Sequence, residues 1–248
     1  MSIDLKEKVA LVTGGSRGLG KGVALALAEQ GITTIVNYHR DDAAAEKTVK
    51  EITEKGHRAQ ALKADVTKPE EVERLFSEIK TRYGSLDILV NNVGKFIFKK
   101  VTELSTDDWL ETIKDNLHTV FYCSRCALPL MLEKGWGRIV NIAFARGDLI
   151  YAKSMATPYA IAKAGVILYT KSLAKEVYEK GITVNVISPG NIDKREKEGD
   201  KLENLPKDIT EESLIKPAEI AGTILFLLSE KASKINGTNI TISGGWNL

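Results

Sequence analysis

Short apolar runs rich in β-branched residues alternate with helix-length segments along almost the whole chain of 248 residues. This alternation predicts parallel strands, because strands buried on both faces are apolar throughout and parallel neighbours need long connections. The predicted strands lie at 9–13, 32–36, 58–64, 86–90, 138–142, 182–187 and 239–242. The fold class is therefore α/β: a single-domain, doubly wound, Rossmann-like parallel sheet of about seven strands with helices on both faces.

Helical patterns fill the connections between these strands. They lie at 20–31, 42–56, 69–84, 106–133, 157–179 and 217–228. We interpret residues 1–248 as one domain, in which ligands bind at the carboxyl ends of the strands. The connection at about 191–216 carries the charged stretch KREKEGDK (194–201), which we expect to form a solvated loop on the substrate side.

Composition and charge exclude several classes of function. The chain has 35 basic and 33 acidic residues, so it has no field that would attract nucleic acid or an anionic membrane. The N-terminus lacks a signal-peptide core, and the most apolar run, 220–228, is too short to span a bilayer. We expect a cytoplasmic protein without a metal site, with Cys123 and Cys126 packed on a helix rather than acting as a redox pair.

The first strand runs directly into T-G-G-S-R-G-L-G (13–20) and then into a helix. Such a turn lets backbone N–H groups approach a phosphate, and the helix N-terminus adds about half a positive charge. A nucleoside-triphosphate loop starting at Gly15 is the alternative, but Gly22 replaces the Ser or Thr that would hold Mg²⁺. The glycine spacing favours a dinucleotide, through Gly14, Gly18 and Gly20.

Further motifs follow the carboxyl ends of the predicted strands in order. They are Asp65-Val66, N-N-V-G (91–94), Asn116, Tyr159-x-x-x-Lys163, Pro189-Gly190 and Gly244-Gly245. With the glycine-rich turn, they make the chain resemble the short-chain dehydrogenases/reductases over almost its whole length. Within that family the chain looks most like the bacterial 3-oxoacyl-carrier-protein reductase group.

The resemblance implies an oxidoreductase that transfers hydride between NADP(H) and a small-molecule carbonyl or alcohol substrate. It implies adenine contacts from Asp65 and Val66, ribose contacts from Asn92 and Gly94, and a carboxamide contact from the N–H of Ile192. The full implied cofactor set is Gly14, Ser16, Arg17, Gly18, Leu19, Gly20, His39, Arg40, Asp65, Val66, Asn92, Gly94, Tyr159, Lys163, Pro189, Gly190 and Ile192.

The end of the second strand favours NADP(H) over NAD(H). Tyr38 stands where an NAD enzyme of this architecture has an acid for the ribose 2′-hydroxyl. Arg17 and Arg40 are both placed to face a 2′-phosphate, for which guanidinium geometry is well suited.

Tyr159 and Lys163 share one helical face, one turn apart. A free tyrosine has a pKa of about 10, and we expect the ammonium of Lys163 and an oxidised nicotinamide to lower it. The resemblance implies that Tyr159 passes a proton to the carbonyl oxygen. It also implies that Lys163 holds the nicotinamide ribose and that Asn116 orders a proton-relaying water.

The family's serine donor is missing just beyond the fifth strand. Counting from Gly137 places Phe144 at its position, whereas counting thirteen residues back from Tyr159 places Arg146 there. Losing such a donor costs about 10²–10³ in rate where nothing replaces it. The polar candidates for a replacement are Arg146, Asp148 and Ser154.

A second departure is Lys194, which takes the place of a threonine near the nicotinamide carboxamide. The charged connection around it also weakens the case for a carrier-protein-bound acyl substrate. A working reductase and an NADP(H)-binding sensor or scaffold with little turnover both remain open. The resemblance implies a homodimer or homotetramer, with apolar contacts from Trp109, Leu117, Phe121, Leu128, Ile167 and Leu168.

Overall fold

A computed structural model describes residues 5–149, 152–193 and 210–246. The strands are β1 (Val9–Val12), β2 (Thr33–Tyr38), β3 (Ala59–Lys63), β4 (Ile88–Asn91), β5 (Gly137–Ile142), β6 (Ile182–Pro189) and β7 (Asn239–Ile242). They form one parallel sheet in the order β3-β2-β1-β4-β5-β6-β7. The predicted α/β class is confirmed, and the strand order reverses between β1 and β4, where such sheets bind ligands.

The helices are α1 (Gly18–Glu29), α2 (Asp42–Thr53), α3 (Pro69–Tyr83), α4 (Thr106–Ile113), α5 (Thr119–Lys134), α6 (Thr157–Val177) and α7 (Pro217–Leu228). Two strands run two residues further than predicted. β2 continues to Tyr38 because that residue still pairs with Lys63, and β6 continues to Pro189, opposite Ile242. These residues extend the carboxyl-terminal edge of the sheet, where the ligand is expected to bind.

Alternate side chains of each strand point to opposite faces and feed two cores. Val9 and Leu11 pack with α3, α5 and α6, whereas Ala10 and Val12 pack with α1, α2 and α7. The charged stretch 194–201 of the sequence, including Lys194, lies outside the described residues.

The predicted single helix over 106–133 is interrupted. Between α4 and α5 the chain forms a π-helical turn, Lys114–His118, with Asn116 fully buried inside it. A π turn inserts one extra residue into the helical repeat, which redirects the side chains that follow, and such turns often occur at functional sites.

The two cysteines are free thiols, and Cys123 lies in the core, where burial raises the pKa of its thiol. This agrees with packed helix residues rather than a redox pair. In the described part of the chain, the helices are all too short or too polar to traverse a lipid bilayer.

Candidate active site

The glycine loop leads from β1 into an uncapped helix. Arg17, at the N-cap position of α1, makes no side-chain capping hydrogen bond, and the first turn carries no acid. The first N–H groups of a helix lack intrahelical partners and carry partial positive charge. This end of α1 is therefore suited to an anion such as a diphosphate.

Asn92, at the end of β4, holds the glycine loop in shape. Its side-chain nitrogen donates to the carbonyls of Thr13 at 3.0 Å and Gly14 at 3.2 Å, and its backbone N–H donates to the Thr13 hydroxyl at 2.9 Å. A Cβ on Gly20 would lie 2.7 Å from the same side-chain nitrogen and would overlap the Gly14 carbonyl. Asn92, expected to line a ribose, thus has its amide nitrogen engaged by the loop.

A second asparagine, Asn37 in β2, ties the loop to its other neighbour. Its side-chain nitrogen donates to the carbonyls of Ala64 at 3.1 Å and Leu62 at 3.3 Å, and its oxygen accepts from the N–H of Gly14 at 3.4 Å. The sequence reasoning missed Asn37 and Thr13. The signal for both was position: Thr13 directly follows the apolar strand β1, and Asn37 is an amide residue near the carboxyl end of β2.

A cavity of about 950 Å³ opens at the carboxyl ends of β1, β2 and β3. Its size suits a large cofactor. Eight predicted cofactor residues line it: Gly14, Ser16, Arg17, His39, Arg40, Asp65, Val66 and Gly94. The other predicted residues lie outside the described lining: Gly18, Leu19, Gly20, Asn92, Tyr159, Lys163, Pro189, Gly190 and Ile192.

Asp65 is fixed at one end of this cavity. One of its oxygens accepts from both the hydroxyl (2.8 Å) and the backbone N–H (3.0 Å) of Thr67, and the other lies 3.7 Å from Nε2 of His39. Burial acts to raise the pKa of Asp65, but the hydrogen bonds from Thr67 prevail and lower it. Asp65 is therefore an ionised acceptor.

Tyr38, at the end of β2, is hydrogen-bonded to the first residue of α2. Its hydroxyl donates to Asp42 at 2.9 Å, and the ammonium of Lys63 lies 3.0 Å from the same carboxylate. Asp42 is thus neutralised, while Arg17 and Arg40 are exposed on the cavity lining. The guanidinium groups of Arg17 and Arg40 can therefore offer charge-assisted hydrogen bonds to an anionic group at this end of the cavity.

Tyr159 and Lys163 lie in the first turns of α6, beside the end of β5. Nζ of Lys163 donates to the carbonyl of Ile142 at 2.8 Å and lies 5.8 Å from the centre of the Tyr159 ring. The expected lowering of the tyrosine pKa is not met. Burial raises the pKa of Tyr159 to about 12 and lowers that of Lys163 to about 8, because desolvation favours the neutral form of each group.

Asn116 reaches the same point from the π turn. Its side-chain nitrogen donates to the carbonyls of Lys95 and Thr112, both at 2.9 Å, and its oxygen has no hydrogen-bond partner among the described residues. A Cβ on Gly94 would lie 2.5 Å from that oxygen and 3.1 Å from Nζ of Lys163. The absence of a side chain at Gly94 therefore lets both groups face one space, with an acceptor still unsatisfied.

Phe144, which the count from the fifth strand places at the position of the family's serine, lies beside Tyr159. The chain continues along β6 after β5, with the N–H of Ala145 donating to Pro189 at 2.8 Å, so Phe144 projects to the opposite side from its buried alanine neighbours. Its ring centre lies 5.6 Å from that of Tyr159. The ring centre of Phe96 lies 5.0 Å from that of Tyr159, in an edge-to-face contact.

The three proposed replacements for the missing donor lie in the loop that follows. Arg146 is half-buried in a left-handed conformation at φ 63°, whereas Asp148 and Ser154 are exposed. Ile192, beyond β6, forms a parallel bridge with Ile215. That bridge uses the N–H groups of Asp193 and Ile215, so the N–H of Ile192 is not part of it.

Comparison with known proteins gives matches over nearly the full length. The family model described as enoyl-(acyl carrier protein) reductase matches residues 14–247. The chain is 38% identical to a 3-oxoacyl-[acyl-carrier-protein] reductase of Synechocystis over 97% of each chain. It is 39% identical to the 3-oxoacyl-[acyl-carrier-protein] reductase FabG of Staphylococcus aureus, over 96% of this chain and 97% of the relative.

Two solved structures share the fold. A variant of actinorhodin polyketide ketoreductase with NADPH matches with a TM-score of 0.85 and 32% identity, covering 99% of this chain and 98% of its own. A short-chain dehydrogenase from Burkholderia cenocepacia in complex with NADP matches with a TM-score of 0.87 and 32% identity, covering 99% and 100%. Since sequence and fold agree from end to end, this chain belongs to the short-chain dehydrogenase/reductase family of oxidoreductases.

Proposed function

We propose that the protein reduces a carbonyl compound with NADPH, using the hydroxyl of Tyr159 as the proton donor. The observation that carries this proposal is the convergence of Tyr159, Lys163 and Asn116 at the ends of β4 and β5. A protein that only binds a nucleotide has no need of all three groups. The relatives named 3-oxoacyl-[acyl-carrier-protein] reductases support the same reaction class.

The residues of the glycine loop and the cavity fit a dinucleotide. The uncapped N-terminus of α1 suits a diphosphate, and Asp65 and Val66 suit an adenine at the far end. Arg17 and Arg40 favour NADP(H) over NAD(H), because a 2′-phosphate gives their guanidinium groups a partner. When bound, NADPH supplies the hydride for the carbonyl carbon.

The chain's own groups handle the proton. The high pKa of Tyr159 keeps its hydroxyl protonated near neutral pH, which is the state that a donor to a carbonyl oxygen requires. Lys163, with a pKa of about 8, is mostly charged at the same pH and stabilises the phenolate left after transfer. The Ile142 carbonyl fixes its ammonium next to Asn116.

Phe144 supplies no hydrogen bond to the substrate oxygen, so Tyr159 is left as the donor at that position. The expected cost is about 10²–10³ in rate, relative to a site with a second donor. This observation favours the second candidate function, an NADP(H)-binding sensor or scaffold with little turnover. Retention of the proton-handling groups favours the enzyme.

We also propose that the protein is a homodimer or homotetramer that pairs the helical segment α4–α5 and the helix α6 between copies. Trp109, Phe121 and Leu168 leave 39%, 45% and 67% of their surface exposed, which makes them available for such contacts. Ile167, expected to contribute, is 3% exposed and packs inside the chain. The measurement is the mass of the protein in solution.

The test of the proposed reaction is NADPH oxidation with acetoacetyl-coenzyme A, crotonyl-coenzyme A and simple ketones. We expect reduction of C=O and a fall of roughly 10²–10⁴ in kcat for Tyr159→Phe, because the proton donor is removed. Tyr178→Phe is the matched control, since that tyrosine is 62% exposed and lies directly after the end of α6, away from the site.

Activity that survives Tyr159→Phe contradicts the assigned role of this residue. Tight NADPH binding without turnover on any of the substrates supports the sensor or scaffold instead.

A further inference from the structure

Two phenylalanines flank the proposed proton donor, and a third extends the group. The ring centres of Phe96 and Phe144 lie 5.0 Å and 5.6 Å from that of Tyr159. Phe98 extends the group, with its ring nearly parallel to that of Phe96 at an interplanar angle of 26° and a distance of 6.2 Å. We call Phe96, Phe98 and Phe144 the aromatic wall.

Two of these rings are open to solvent. Phe96 and Phe98 leave 58% and 67% of their surface exposed, although aromatic side chains usually contribute most when buried. Phe96 lies directly beside Tyr159 and Phe98 stacks on Phe96, which distinguishes the two rings from scattered surface aromatics, which need no explanation. Exposed ring faces that continue an active site are surfaces for a ligand to cover.

The wall is held from both sides of the site. The segment that carries Phe96 and Phe98 forms an antiparallel bridge from Lys100 to Met155, and the N–H of Ala156 donates to the carbonyl of Lys99 at 3.3 Å. Because the segment before α6 and the segment after β4 are joined, the backbone that carries Phe96 and Phe98 keeps its place relative to α6, which carries Tyr159.

The chemistry of Phe144 points to the kind of ligand. Where a hydroxyl would orient a carbonyl by hydrogen bonding, this chain offers a ring. The ammonium of Lys153 lies 4.6 Å from the centre of that ring, within the range of a cation–π contact. The orientation of the substrate then depends on ring stacking together with one hydrogen bond, which the hydroxyl of Tyr159 donates.

We infer that the aromatic wall binds a planar aromatic group on the substrate, so that the site selects aryl ketones over saturated ketones of the same size. The inference rests on the proposed function, since it names the substrate class of that reaction. In the reduction, the carbonyl carbon receives hydride from NADPH, the oxygen receives the proton of Tyr159, and the products are a secondary alcohol and NADP⁺. Both electrons come from NADPH.

The probes are acetophenone and cyclohexyl methyl ketone, which have the same heavy-atom skeleton and differ in aromaticity. Their dissociation constants are measured by calorimetry on the protein saturated with NADP⁺, where reduction cannot proceed. We expect acetophenone to bind about fivefold to tenfold more tightly, as aromatic pairing predicts. Phe98→Leu should bring the two constants close together.

Phe226→Leu is the matched control, because Phe226 is 45% exposed on α7 and lies outside the wall. It should leave the preference unchanged. Turnover with NADPH is followed separately. A preserved binding preference without turnover contradicts the proposed function but supports the binding of aromatic groups by the aromatic wall.

Equal dissociation constants, or binding of neither ketone, overturn the inference. A change in oligomeric mass on Phe98→Leu, with the ketone preference intact, also overturns it, since the rings then serve an interface between copies.

Discussion

Replacement of the buried ammonium at position 163 should make the protein more stable near neutral pH while it removes the function. Lys163 is 3% exposed, and burial lowers its pKa to about 8. In the unfolded chain a lysine has a pKa of about 10.4. Between these values the unfolded state holds about one more proton, so the free energy of unfolding of the wild type rises with pH there.

The magnitude follows from the width of this interval. A displacement of one pKa unit corresponds to about 1.36 kcal/mol, so the charged side chain destabilises the folded state by roughly 3 kcal/mol below about pH 8. Lys163→Met removes this cost but also the hydrogen bond to Ile142, a net contribution of about 1 kcal/mol. We expect the free energy of unfolding of the variant to be about 2 kcal/mol higher than that of the wild type at about pH 7.

The assay is urea unfolding at a fixed protein concentration, without nucleotide, at several values from about pH 7 to pH 9.5. The advantage of Lys163→Met should shrink by about 2 kcal/mol over this range, because the wild type gains stability as its amine becomes neutral. Lys171→Met changes an exposed lysine of the same helix and is the control. A difference that is independent of pH, or a less stable variant at the lower pH, would refute the reasoning.

The other predictions concern the replaced donor and the cofactor. Phe144→Ser should raise kcat/KM for acetoacetyl-coenzyme A by about 10–100-fold, because it restores a second hydrogen bond to the substrate oxygen; an unchanged value argues against that site for the oxygen. Arg17→Ala and Arg40→Ala should each weaken NADPH binding by about tenfold and leave NADH within about threefold, since a guanidinium on a phosphate is lost. Equal losses for both cofactors, measured by fluorescence titration, would place the 2′-phosphate elsewhere.

The sheet was predictable because its signal is local: each buried parallel strand is a continuous apolar run. The motif residues could be placed in one site for the same reason, since parallel strands bring their carboxyl ends to one edge. The π turn around Asn116 was not predictable, because its residues have ordinary helical propensities. The direction of the Tyr159 pKa depends on how deeply packing buries the hydroxyl, a property that no spacing of residues reveals.

Two features of the site could not be predicted from the sequence: the exposed rings beside Tyr159 and the hydrogen bonds of Asn92. Phe96 and Phe98 lie in an irregular segment without a hydrophobic period, so nothing in their spacing separates a ligand surface from a core. Asn92 was identified by motif, but its hydrogen bonds to the glycine loop appear only once β1 and β4 are neighbours.

The two asparagine ties on the glycine loop have a consequence for how the cofactor arrives. Asn37 in β2 and Asn92 at the end of β4 brace the loop from the two strands that flank β1, using hydrogen bonds within the protein. A loop already rigid before the encounter loses little conformational entropy when the nucleotide docks. The association rate constant of the nucleotide should then approach the diffusion limit. Hydrogen exchange of the loop amides should be slow even in the protein without nucleotide.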